Sequence, residues 1–87
     1  MKPFDRQVLM CVRDLGGDAY GRTVSEELAR RGVKSPGTSV VYTVLWRLED
    51  LNLVTTSLGE VSTEEGTRHR RFYCVTRLGE QELENPR

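Results

Sequence analysis

The amino-acid sequence predicts a small α+β fold, in which three helices precede two strands and a last short helix. Apolar residues recur at helical spacing through the first half of the chain, up to the segment 38–53. β-branched and aromatic residues then dominate two segments, 53–58 and 71–75. Because the chain has 87 residues, of which 37% are hydrophobic, we expect one domain, residues 1–87, with a single modest core.

A first helix is predicted to begin at Pro3 and to end at Gly16-Gly17. Its apolar stripe consists of Phe4, Val8, Val12 and Leu15, with Leu9 and Cys11 beside it. The short segment 19–21 is expected to be a link or a brief edge strand.

A second helix is predicted from about Val24 to Arg31. Thr23 and Glu26 have the spacing of a capping box, and Gly32 is placed to end the helix. The segment 34–37 then reads as a turn, after which Thr38 or Ser39 is expected to cap a third helix. Two helices joined by a short turn predict a helix-turn-helix.

The third helix, 38–51, has two different faces. Its apolar stripe contains Val41, Val44, Leu45, Leu48 and Leu51, and Asn52 is placed to end it. Ser39, Val40, Thr43, Arg47 and Asp50 lie on the opposite face. Because the first turns of that face carry short side chains, the helix can approach another surface closely.

Two strands and a short helix are predicted to follow. The segment between the strands, Gly59 to Arg70, is polar and reads as a long basic loop. Thr76 is expected to cap the last helix, which carries Leu78 and Leu83. This order of elements is typical of a winged helix-turn-helix, in which the hairpin loop is the wing.

Composition argues against several classes of protein. No apolar run approaches the length of a membrane span and no signal-peptide pattern is present, so we expect a cytoplasmic protein. Cys11 and Cys74 form no CxxC pair and are expected to be free, buried thiols. His69, the only histidine, lies among arginines and has no catalytic partner, so we expect no metal, no cofactor and no enzyme.

The charges are balanced in number but not in position. Lys plus Arg and Asp plus Glu both total 13. The segment 22–47 nevertheless holds five basic and two acidic residues, and 68–77 holds four basic and no acidic residues. Zero net charge can therefore accompany one basic face.

Two motifs resemble those of the PadR-like transcriptional regulators. Tyr42 is followed by L-W-R-L-E-D-L-N-L-V at 45–54, and the second strand closes with Y-C-V-T-R-L-G at 73–79. The resemblance covers roughly 17–79 and implies a sequence-specific, double-stranded DNA-binding transcriptional regulator, a repressor. The chain departs from the family pattern at Ser39, Val40 and Asn52. It also resembles a short form without the family's long carboxy-terminal dimerisation segment, so a small-molecule effector is not expected.

Nine residues are candidates for contact with DNA. The third helix would read bases in the major groove and the wing, 59–71, would hold the backbone. The candidates are Thr38, Ser39, Val40, Tyr42, Thr43 and Arg47 on the helix, and Arg68, His69 and Arg70 on the wing. Useful affinity is expected to need two copies, a homodimer paired through the first and last helices.

Several of these positions have a second interpretation. The ring of Tyr42 would also pack against the first or second helix, and Arg47 would also pair with Asp50. The arginines of the wing would also form a solvated charge run. Trp46 would either contact a partner or lie over the wing strands. The alternative to a DNA-binding regulator is a winged-helix protein-interaction module that has lost DNA binding.

Overall fold

A computed structural model describes residues 1–34 and 37–85. The elements in chain order are α1 (Pro3–Leu15), a 3-10 turn (Gly16–Asp18), α2 (Gly21–Arg30), α3 (Thr38–Asp50), β1 (Val54–Thr63), β2 (Gly66–Val75) and α4 (Arg77–Glu84). The order confirms a winged helix-turn-helix. Two residues of the turn predicted at 34–37, Ser35 and Pro36, lie outside the described residues.

The core lies between the three larger helices and the base of the hairpin. It is almost entirely aliphatic, and β2 adds one aromatic side chain, Tyr73. Its fully buried members include Val8, Leu9 and Val12 of α1, Val24 and Leu28 of α2, and Val41, Leu45 and Leu48 of α3. The predicted stripes of the three helices thus face one another.

The end of α3 follows the prediction, whereas its start does not. Asn52 has φ 60° and the amide of Leu53 donates to the carbonyl of Leu48 at 2.9 Å, which closes the helix. Gly37, with φ 145°, is the N-cap residue, so the prediction that Thr38 or Ser39 caps α3 is wrong. Leu51 is 53% exposed rather than buried, because it lies past the last turn that faces the core.

The second helix begins three residues earlier than predicted. The hydroxyl of Thr23 accepts the amide proton of Tyr20 at 2.9 Å, so Tyr20 is the N-cap and Thr23 lies inside the helix. The predicted pairing of Thr23 with Glu26 as a capping box is therefore wrong. Gly32, with φ 73°, ends α2 as predicted, and the amide of Val33 donates to the carbonyl of Leu28 at 2.9 Å.

The wing is a two-stranded ribbon and not the long loop that the sequence predicts. β1 and β2 pair over their whole lengths, from Val54 opposite Val75 to Thr63 opposite Gly66. Only Glu64 and Glu65 remain for the turn, and Gly66 with φ 123° allows it to close. At the other edge of β2, the amide of Tyr73 donates to the carbonyl of Ala19 at 2.8 Å, but segment 19–21 is the predicted link and not an edge strand, because it forms no strand and leads directly into α2.

The carboxy-terminal helix is capped as predicted. The hydroxyl of Thr76 accepts the amide proton of Gly79 at 3.0 Å, and Leu83 is buried. Both cysteines are free, but Cys74 is exposed, because it points to the side of β2 opposite the buried Tyr73. None of the described helices is long and apolar enough to cross a membrane.

Candidate nucleic-acid interface

The outward face of α3 carries the short side chains at its start. Thr38, Ser39 and Thr43 are exposed, and Val40 is half-buried. The hydroxyl of Thr43 donates to the carbonyl of Ser39 at 3.0 Å, which uses its one donor and leaves its oxygen as an acceptor. The first two turns of this face therefore expose hydroxyl groups on short side chains, and another surface can approach the helix backbone closely there.

Tyr42 joins α3 to the start of α2. Its ring lies so close to Gly21 that a β-carbon there would overlap the ring and the hydroxyl oxygen. The residue is half-buried. The packing interpretation of Tyr42 is therefore confirmed, with the second helix as the partner, and Gly21 is the residue that permits this close approach.

Arg47 pairs with a different carboxylate from the one predicted. Its Nη1 donates to Oδ2 of Asp5 at 2.6 Å, whereas the prediction was a pair with Asp50. The prediction failed because it considered only neighbours on the same helix, and the long Arg47 side chain reaches the start of α1. Asp5 is only 4% exposed, so this pair fixes α3 against α1.

The three basic wing candidates do not share one face. The register places Arg68 opposite Val61 and Arg70 opposite Gly59, both on the face away from α3, and alternation turns His69 to the other face. Arg68 pairs with Glu65 at 3.0 Å, and Nδ1 of His69 lies 3.9 Å from a carboxylate oxygen of Glu60. Among the described residues Arg70 has no carboxylate partner.

Sequence reasoning missed a fourth basic residue beside the wing. Arg22, in the first turn of α2, lines a groove of about 470 Å³ together with Arg68 and Arg70. Thr63, Glu64 and Glu65 complete the groove. Arg22 belongs to the basic segment 22–47, but the sequence does not reveal that the start of α2 lies next to the wing.

A buried hydroxyl group, that of Tyr73, lies on the side of β2 that faces α3. The hydroxyl of Tyr73 is buried and has no hydrogen bond of good geometry within the described residues. Burial raises the pKa of Tyr73, and the indole of Trp46 and the guanidinium of Arg71 nearby act in the opposite direction. No group of three or more His, Cys, Asp or Glu side chains in the described part of the chain is arranged to hold a metal ion.

Comparison with known proteins identifies relatives of this fold. A PadR family transcription regulator from hypervirulent Clostridium difficile R20291 superposes with a TM-score of 0.77 at 20% identity, over 95% of this chain and 81% of that one. Bacillus subtilis PadR in complex with operator DNA gives 0.77 at 21% identity, over 95% of this chain and 46% of that one. A PadR-like regulator from Bacillus cereus gives 0.74 at 22% identity, over 93% and 74%.

The family assignment rests on the sequence. No match was found among curated protein sequences. The family model of the transcriptional regulator PadR-like family, however, matches residues 8–85, which is nearly the whole chain and includes α3 and the wing. The chain therefore belongs to the PadR-like family of transcriptional regulators.

Proposed function

We propose that this transcriptional regulator binds double-stranded DNA by sequence, with α3 in the major groove and the wing, 59–71, along the backbone. The observation that carries the proposal is the exposed hydroxyl face of Thr38, Ser39 and Thr43, with arginines of α2 and the wing on the same molecule. Bacillus subtilis PadR, which has been solved with operator DNA, shares the fold. Steric occupation of an operator would make the protein a repressor.

Bases and phosphates would be contacted by different residues. Ser39 and Thr43 offer hydroxyl groups to base edges, and Val40 and Thr43 offer methyl groups to thymine. Arg70 and Arg68 would neutralise phosphates, and Arg22 is added to them from the geometry. His69 carries a charge only when it is protonated. Arg47, held by Asp5, would act mainly by fixing the orientation of α3.

Two copies of the chain on a palindromic site would provide the affinity that one small module lacks. The support is an exposed apolar patch where α1, the end of α3 and α4 meet. Met1, Leu51 and Leu78 are each about half exposed there, and they line a groove of about 420 Å³. We propose pairing through this patch. We further propose that the protein acts in the cytoplasm and has no catalytic activity.

The alternative function is that of a protein-interaction module. Trp46, which is 56% exposed, and the zero net charge of the chain favour it. Retention on a column of non-specific DNA separates the two functions. Elution at very low salt would favour the protein-interaction module.

Selection of bound duplexes from a random DNA pool tests the proposal, with the parent and Thr43→Ala compared side by side. A lost base contact costs about 1–3 kcal/mol at its own position. We therefore expect Thr43→Ala to relax one or two positions of the selected motif while its melting temperature stays the same. Ser39→Ala serves as a second probe, since Gly37 and not Ser39 caps the helix. No enriched motif for the parent, or identical motifs for all three proteins, would contradict base reading by this face.

A further inference from the structure

The groove beside the wing turn, which Arg22, Arg68 and Arg70 line, also contains carboxylates. Glu64 and Glu65 form the turn itself and lie on the wall of this groove. The strand register fixes them there, because only these two residues connect β1 to β2. The surface that offers cations to phosphates therefore also holds anions.

Two of the three arginines are already paired with carboxylates. Nη2 of Arg68 donates to Oε2 of Glu65 at 3.0 Å. In the first turns of α2, Nε of Arg22 donates to Oε2 of Glu26 at 3.2 Å. Both pairs are exposed to solvent, where the attraction between such groups is weak and another anion can replace the carboxylate. Arg70 has no carboxylate partner among the described residues, so a phosphate can bind it without an exchange.

A carboxylate and a phosphate compete for the same atoms of an arginine, because a guanidinium binds both through its N–H groups. A phosphate that takes the Nη2 group of Arg68 displaces Glu65. The displaced carboxylate then lies beside the DNA backbone, where like charges repel and where it attracts a cation from solution. That cation offsets one of the counterions that the DNA releases. This step rests on the proposed function, since it takes the groove as a contact with DNA phosphates.

We propose that Glu65 and Glu26 are intramolecular competitors of DNA phosphate, and that they make the groove autoinhibited in the free protein. Glu65 competes for Arg68. In the same way, Glu26 competes for Arg22. The competition lowers the affinity for every duplex and weakens its dependence on salt. At a given salt concentration, the protein would then bind the duplexes whose bases also contact α3.

Charge-neutral substitution of the glutamate tests the competition. Glu65→Gln and the parent are titrated with a non-specific duplex and with the selected duplex over a range of salt concentrations. We expect the affinity of Glu65→Gln for both duplexes to rise about two- to fivefold, and the log–log salt slope to steepen by up to about 0.9. The selected motif and the melting temperature should stay the same. Glu26→Gln is expected to change affinity and slope in the same direction, through Arg22.

Glu60→Gln is the matched control. It removes the same charge from the same hairpin, but Glu60 lies on the face of the wing opposite to Arg68, and its partner there is His69. This variant should bind like the parent. An equal gain in Glu60→Gln would show that net charge alone matters, and parental affinity and slope in Glu65→Gln would show that its carboxylate does not compete. Either result overturns the proposal.

Arg68→Ala, made in the parent and in Glu65→Gln, shows whether the glutamate is displaced. If phosphate must displace Glu65, the loss of affinity from Arg68→Ala should be about two- to fivefold larger in the Glu65→Gln background. Equal losses in the two backgrounds would mean that Arg68 keeps its glutamate on DNA, and the competition would be contradicted while the proposed function stands. If neither the parent nor the glutamine variants bind any duplex, the proposed function fails, and the competition fails with it.

Discussion

Asp5 and Asp50 offer a direct test of which carboxylate holds Arg47. Asp5 is buried and lies 2.6 Å from the guanidinium, whereas Asp50 is exposed. Because Arg47 is half exposed and solvent screens part of the attraction, we expect Asp5→Ala to lower the free energy of unfolding by about 1–3 kcal/mol. Asp50→Ala should change it by less than about 0.5 kcal/mol. Denaturant unfolding of both variants measures the difference, and equal losses would contradict the pairing.

The hydroxyl group of Tyr73 is expected to be dispensable for stability. This hydroxyl is buried without a good hydrogen bond, so Tyr73→Phe is expected to leave the free energy of unfolding at neutral pH unchanged or to raise it by about 1 kcal/mol. Burial raises the folded-state pKa of Tyr73 above its ordinary value of 10.0. Ionisation of Tyr73 therefore does not affect the free energy of unfolding below pH 10.0, and it lowers this free energy as the pH rises from 10.0 through the folded-state pKa.

The alkaline side of the stability curve measures this effect. Tyr73→Phe should lose less stability than the parent above pH 10.0. Burial also raises the pKa of Cys11, but that thiol is present in both proteins and cancels in the comparison. Superimposable alkaline profiles would show that the Tyr73 hydroxyl is not protected by burial.

Within the wing, an arginine without a carboxylate partner should contribute more to DNA affinity than an arginine that is already paired. Arg70 has no carboxylate partner among the described residues, whereas Arg68 must exchange Glu65 for a phosphate. We expect Arg70→Ala to weaken binding to all duplexes equally and to reduce the log–log salt slope by about 0.9. Arg68→Ala should have a smaller effect. Arg77→Ala is the control, since Arg77 is exposed at the base of the hairpin, far from the wing turn. An unchanged slope for Arg70→Ala would remove this arginine from the interface.

Sequence patterns predicted the elements that have one buried face. Helical spacing placed the three larger helices, and the Thr76 cap was found because a hydroxyl residue directly precedes α4. Residues 59–70 were predicted as a loop and not as strand, because both faces of the outer wing are in contact with solvent and the sequence there shows no apolar alternation. Contacts between elements were not predicted, for a different reason. The pairing of Arg47 with Asp5 and the approach of Arg22 to the wing depend on how the helices pack, which spacing within one helix does not report.

The whole molecule should recognise a palindrome as a pair of copies and a half-site as a single copy. The apolar patch of Met1, Leu51 and Leu78 lies at the junction of α1, α3 and α4. Replacing both leucines in Leu51→Gln/Leu78→Gln removes apolar area from each side of a pairing surface and adds no charge, so attraction to phosphates is unaltered.

We expect the double variant to sediment as a single chain and to lose the affinity gained from two linked contacts, about 10² or more, on the palindrome. Its affinity for an isolated half-site should equal that of the parent, which serves as the internal control for folding and for the α3 face. Sedimentation and binding to the two duplexes are measured at the same protein concentrations. A parental palindrome preference in the variant would show that the copies pair through another surface. A parent that sediments as a single chain while it binds the palindrome would contradict pairing altogether.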